Sequence, residues 1–141
     1  MRIRFRRPEL PVLRTCDVAI IGGSLAGVAA ALELAGAGRT VVVVESRTYL
    51  GREVTATLRP WLMVGRSPAD GLMTALIENA RANVRAAESP ENPLHMDRVK
   101  RFLEDALLEA GVDLLYASLP VGLVEAEDGF AVQGIAITGI K

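Results

Sequence analysis

Gly22, Gly23, Ser24 and Gly27 follow an apolar run, Cys16–Ile21, and an acid, Glu45, closes the next apolar run 23 residues after Gly22. These residue types at this spacing can hold a diphosphate and a sugar. Gly22 permits a sharp turn off a strand, and Gly27 lets the following helix pack closely on a sheet. The first turn of that helix leaves backbone N–H groups unpaired beside a positive dipole end, which suits a pyrophosphate. An acid about 20 residues on can accept hydrogen bonds from ribose hydroxyls, and Glu45 stands where that acid is expected. Ser24 takes the place of the middle glycine in G-x-G-x-x-G. Its Cβ would crowd a phosphate and its hydroxyl could donate to one; both outcomes are open at this point.

The elements that position these residues follow from the pattern. Cys16–Ile21 is a short apolar run of the kind expected for a strand buried on both faces. Val28, Ala29, Ala31, Leu32 and Ala35 give the next segment an apolar surface nearly all round, and Gly36 and Gly38 end it. Thr40–Val44 is a second buried strand. A β-α-β unit of about 30 residues implies a parallel pair with a right-handed crossover. Residues 46–66 have no clean period and are expected as loop. Ser67, Pro68 and Asp70 then start a helix with Leu72, Met73, Leu76, Ile77, Ala80 and Val84 at helical spacing. After a break at 89–93, Asp97 caps a helix whose apolar face is Val99, Phe102, Leu103, Ala106, Leu107 and Ala110, ended by Gly111. Val112–Tyr116 is a third strand, parallel to the first two. Val121–Glu125 and Phe130–Thr138, around Glu127, Asp128 and Gly129, form an antiparallel hairpin.

Composition bounds the function. The chain has 141 residues, half of them apolar, and a formal net charge of −1. That length suits one domain with a core rather than a two-domain enzyme, and a mean hydropathy of +0.29 argues against intrinsic disorder. The near-zero charge offers no field that would draw nucleic acid or an anionic membrane over the whole surface. Arg2, Arg4, Arg6 and Arg7 precede an uncharged stretch, Val18–Leu32, in the manner of an export signal. Intervening Pro8, Glu9, Pro11 and Asp17, the break at Gly22-Gly23-Ser24, and a length short of the ~20 residues of a membrane span weigh against that reading. One cysteine, Cys16, excludes an internal disulfide and a thiolate-rich zinc site, and a reducing, cytoplasmic location is expected. Residues 1–15 are expected as an amino-terminal arm, and 16–141 as the domain.

Asp17–Glu45 (DVAIIGGSLAGVAAALELAGAGRTVVVVE) resembles the amino-terminal FAD-binding segment of FAD-dependent oxidoreductases of the glutathione-reductase-like class. It is most similar to the family that opens with an acid, a strand, GGGPAG and a Leu-Gly-Gly-x-x-Thr loop, here Leu50-Gly51-Arg52-Glu53-Val54-Thr55. The likeness continues from His95 to Thr138. It implies an α/β fold, a Rossmann-like FAD/NAD(P)-binding domain whose parallel sheet is joined by an antiparallel hairpin, with FAD as cofactor. It also implies that Gly22, Gly23, Ser24, Ala26 and Gly27 wrap the pyrophosphate and that Glu45 holds the adenosine ribose. Ser46, Gly51 and Arg52 would line the path toward the flavin, and the backbone of Val121 would meet the adenine edge. Arg52 departs from the second glycine of the family's loop. The family continues past the hairpin with a further parallel strand and a substrate domain, so the domain is expected to be truncated, its open sheet edge inviting another chain.

Other residues carry weaker signals. Cys16 sits at the amino end of a strand, away from the carboxyl ends where cofactors bind in such sheets, and is expected as a small buried hydrophobe. His95 has no paired acid at motif spacing and is expected at the surface or in a helix cap. Trp61 is expected to pack a loop onto the core, and Glu125, Glu127 and Asp128 to form a solvated hairpin tip rather than a metal site. No catalytic residue emerges. Three functions stay open on the residues alone: the FAD-binding portion of an oxidoreductase acting on an unidentified small molecule, an NAD(P)-binding dehydrogenase domain, and a non-catalytic nucleotide-binding fragment.

Overall fold

The computed structural model describes residues 11–57, 71–81, 93–126 and 129–136. The expected arginine arm, the start of the helix at Ser67–Asp70, Trp61 and the hairpin tip at Glu127 and Asp128 lie outside those residues. Within them the chain runs β1 (Val18–Ile21), α1 (Leu25–Gly36), β2 (Val41–Val44), α2 (Arg52–Thr55), α3 (Gly71–Ala80), α4 (Met96–Glu109), β3 (Asp113–Leu115), β4 (Ser118–Ala126) and β5 (Gly129–Ala136).

β1, β2 and β3 form a parallel sheet in that order, with Val18 opposite Val41 and Val42 opposite Asp113. β2 therefore lies in the middle, and Val41, Val42 and Val43 are buried. β-branched side chains suit such a doubly covered strand. β1 corrects the expectation of burial on both faces. It is an edge strand among the described residues, its exposure alternates along the chain, and Ile21 is 51% exposed. Absence of charge in a run does not set where the strand falls in the sheet.

α1 is apolar nearly all round, as expected, yet only Val28 and Ala31 are fully covered. Four of its other ten residues are alanines, and its three leucines, Leu25, Leu32 and Leu34, are partly buried against the core. Ala37 closes the helix through its amide to Glu33, and Gly38 takes a positive φ of 77°. The turn back into β2 is held at its base by Asp17, whose carboxylate accepts from the Thr40 amide and hydroxyl at 2.8 Å each. Those bonds lower the Asp17 pKa.

α4 carries the main apolar stripe. Val99, Leu103 and Leu107, four residues apart, are fully buried against Leu50, Leu76 and Val28. Its amino-terminal cap is His95, which makes no side-chain cap bond, and Asp97 sits inside the first turn. That corrects the expected cap at Asp97; the carboxylate instead favours the helix through the dipole and pairs with Lys100 at 3.4 Å. Gly111, at φ 74°, ends the helix as expected. α3 packs on α4, with the His95 amide donating to Ala80 at 2.6 Å.

The hairpin of β4 and β5 is antiparallel and starts three residues earlier than expected, at Ser118, with a bulge between Pro120 and Gly122. Amides of Ala117 and Ser118 donate to the carbonyls of Arg47 and Glu45 at 3.0 Å, which joins the hairpin to the chain leaving β2. At the other end of β3, Arg14 pairs with Asp113 at 3.0 Å, both exposed, so the contact contributes little. No helix among the described residues is long and apolar enough to cross a membrane.

Leu103→Ala should lower the unfolding free energy by about 2–5 kcal/mol. Leu108→Ala, on the exposed side of the same helix at 55% exposure, should stay within about 0.5 kcal/mol. Urea unfolding of the two variants measures the contrast and checks the facing of α4.

Candidate functional site

The carboxyl ends of β1 and β2 bring the glycine bend and Glu45 together. Gly22 leaves β1 with φ 102°, a conformation that L side chains rarely adopt, while its amide still bonds Val44 at 2.8 Å. The chain then doubles into α1. A Cβ on Gly27 would stand 2.2 Å from the Gly22 carbonyl oxygen, so the helix approaches the strand as closely as the sequence pattern implies. Ser24 is the helix cap, and its Oγ accepts from the Gly27 amide at 3.1 Å. The hydroxyl oxygen at the middle-glycine position thus serves as the acceptor that caps the helix.

Glu45 is 5% exposed and points into the bend. Its Oε2 accepts from the Gly23 amide at 2.7 Å, and its Oε1 from the Arg47 amide at 2.8 Å and the Ser46 hydroxyl at 3.2 Å. A carboxylate offers about four lone-pair directions, so one on Oε2 stays open to a donor. Burial has the largest single influence on this group and pushes its pKa up. The bonds from Gly23, Arg47 and Ser46, with the Arg47 charge, outweigh it, and the carboxyl titrates below the ordinary glutamate range.

The segment after β2 is not all loop. It forms the short helix α2, an interruption too brief to leave a period in the sequence. Gly51, left-handed at φ 64°, donates its amide to the Gly23 carbonyl at 2.8 Å, and buried Leu50 lies against Gly23. A Cβ on Gly23 would meet Leu50 Cδ2 at 2.2 Å, and one on Gly51 would meet Leu103 Cδ1 at 2.6 Å. Thr55 turns its hydroxyl onto the carbonyls of Leu50 and Gly51. Arg52 opens α2 and is exposed. From α2 the Glu53 carboxylate accepts the Leu25 amide at the start of α1. Glu53 was not singled out from the sequence. It is the only acid between Glu45 and Asp70, a signal that a search for charge near the bend could have used.

Two amides of the bend, those of Ser24 and Ala26, have no hydrogen-bond partner among the described residues. They and the open Oε2 direction of Glu45 are the unspent polar capacity at this end of the sheet. Val121 is 57% exposed, beside the hairpin bulge, and no hydrogen bond ties it to the bend. Tyr116, following β3 at the same end, has a buried hydroxyl that makes no hydrogen bond of ordinary geometry among the described residues; burial first, then the neighbouring Glu104 carboxylate and the charge of Glu45, push its pKa up. It stays protonated as a donor. Cys16 is free and partly buried. Among the described residues no group of three His, Cys, Asp or Glu could hold a metal ion.

The family model described as FAD dependent oxidoreductase matches residues 17–140. No curated protein sequence matches the chain significantly. Among solved structures, it is similar to a geranylgeranyl bacteriochlorophyll reductase-like protein from Thermoplasma acidophilum, with 19% identity over 88% of this chain and 36% of that one, at a TM-score of 0.57. It is similar to p-nitrophenol 4-monooxygenase PnpA from Pseudomonas putida, with 18% identity over 86% and 36% of the two chains and a TM-score of 0.55. It is also similar to THI4 of Thermovibrio ammonificans, with 21% identity over 83% and 45% and a TM-score of 0.51. These likenesses establish the α/β dinucleotide-binding fold. The chain spans less than half the length of each of the three.

The folded pKa of Glu45 lies below the unfolded glutamate value of about 4.3, so its stabilisation is complete above that value and is lost as pH falls through the folded pKa. Glu45→Gln should therefore be less stable than the wild type at pH 7 by about 1–3 kcal/mol. The difference should shrink as the pH is lowered below about 4, followed by urea unfolding across that range.

Proposed function

The chain belongs to the FAD dependent oxidoreductase family, and from that premise we propose that its glycine bend and Glu45 hold the ADP part of FAD. FAD is the cofactor of the family, and it supplies the electron-transfer chemistry when bound. Everything assigned to the chain's own residues concerns binding and orientation. The open amides of Ser24 and Ala26 donate to the diphosphate at the positive end of α1. The Ser24 hydroxyl adds a third donor. Gly22, Gly23 and Gly27 let backbone rather than side chains line the approach, and Glu45 takes a ribose hydroxyl on its remaining lone pair. Ser46, Gly51 and Arg52 line the way toward the flavin, and the Val121 backbone faces the adenine edge.

One observation carries this reading: the bend whose Gly23 amide is held by a buried carboxylate also holds two amides, those of Ser24 and Ala26, that are unbonded among the described residues. A bend that merely joined strand to helix would have no need of an acid 22 residues away on its amide. In the same reading the chain works in the cytoplasm, which a single free cysteine suits. It orients FAD for oxidation or reduction of a small-molecule substrate, and the outer edge of β1 takes a further strand.

Incubation of the full chain with FAD, removal of the excess, and a visible spectrum test the assignment. The expected result is a yellow protein absorbing near ~450 nm that releases FAD on denaturation. A protein that takes up NAD and not FAD, or neither, overturns it. Glu45→Ala should weaken ADP binding by about tenfold, the loss of one charge-assisted hydrogen bond, measured by calorimetric titration.

A further inference from the structure

No acid stands in the first turn of α1, yet its leading amide is held by a carboxylate. That carboxylate comes from Glu53, 28 residues away on α2. Its backbone is not free to drift: Gly51 is bonded to Gly23, Leu50 is buried against the same residue, Val54 is buried, and Thr55 ties the turn internally. The frame of α2 thus presents Glu53 to the pole of α1 that faces the bend. Its side chain is exposed, and no cation pairs with it among the described residues. Its charge is therefore balanced by a helix amide and by water alone, and exposure makes its release to solvent inexpensive.

We propose that Glu53 is an internal counter-anion, seated on the α1 amino terminus until the FAD diphosphate displaces it. This rests on the dinucleotide reading above. The Leu25 amide is then shared between two anions in turn. With Glu53 in place, α2 is latched to α1 by a side-chain bond and the bend carries carboxylates on both flanks, Glu45 and Glu53. An entering diphosphate needs the Leu25 pole, and two like charges there repel. Glu53 swings out, α2 keeps its backbone tie through Gly51, and the latch is exchanged for the ligand. Glu45 does not take part in the exchange, because it is buried and bonded to the Gly23 and Arg47 amides.

The test is calorimetric titration of ADP into the full chain as wild type, E53Q and E78Q, the last removing an equal charge from the exposed face of α3. E53Q should bind ADP roughly 3- to 10-fold tighter than the wild type at low salt, on the scale of one charge at a helix terminus. The gain should fade near 1 M salt, where screening acts within about 3 Å. E78Q should match the wild type. In amide NMR spectra the Leu25 resonance should differ between wild type and E53Q without ligand and coincide once ADP is bound. Equal or weaker ADP binding by E53Q, or a gain shared by E78Q, overturns the proposal. Failure of all three proteins to bind ADP overturns the dinucleotide reading itself, a separate outcome.

Discussion

The two backbone polar groups of one residue, Gly23, hold this end of the molecule together. The Gly23 N–H is bonded to the Glu45 carboxylate and the Gly23 C=O to the Gly51 N–H. The first bond fastens the bend after β1 to the end of β2, and the second fastens it to the turn that begins α2. Both need the backbone of Gly23 to lie against Leu50 and Glu45 with no Cβ between them. Remove that closeness and the acid loses its central donor, α2 loses its anchor, and α1 loses the neighbour that shapes its amino terminus.

The cost of this arrangement is carried by Glu45. A carboxylate withdrawn from water is expensive unless donors replace the lost hydration. Here three do so, two of them backbone amides. Backbone donors are fixed by the fold and lose little freedom in bonding, which is why the hydrogen bonds outweigh burial and the group stays ionised. The same economy appears at Ser24, whose hydroxyl oxygen caps the helix by accepting from the Gly27 amide.

Much of this was legible before any coordinates. Glycines at fixed offsets, an apolar run on either side and an acid at the right distance identified the strand-turn-helix-strand unit, since only glycine meets the φ of Gly22 and the contact distance of Gly27. The helix of Val99, Leu103 and Leu107 and its stop at Gly111 were equally plain from period and chirality. What escaped was set by position in space. VAII and VVVV look alike as strings, and only pairing order makes one an edge and the other the centre. α2 is too short to show a period. Two of the three donors to Glu45 are main-chain amides, which every residue except proline carries, so no residue type announces them. Glu53 was passed over because an isolated acid in an unpatterned stretch resembles any solvated side chain.

The unequal pairing of the three strands has a consequence for how the molecule breathes. Among the described residues β2 is bonded along both margins, whereas β1 is bonded along one. Local opening begins where fewer contacts must be broken, so the strand that launches the glycine bend frays ahead of the strand that carries Glu45. Amide protons of β1 should therefore trade with deuterium sooner than those of β2. In the proposed reading, the half of the cradle assigned to phosphate is the transient half, and the half assigned to sugar endures until the domain comes apart.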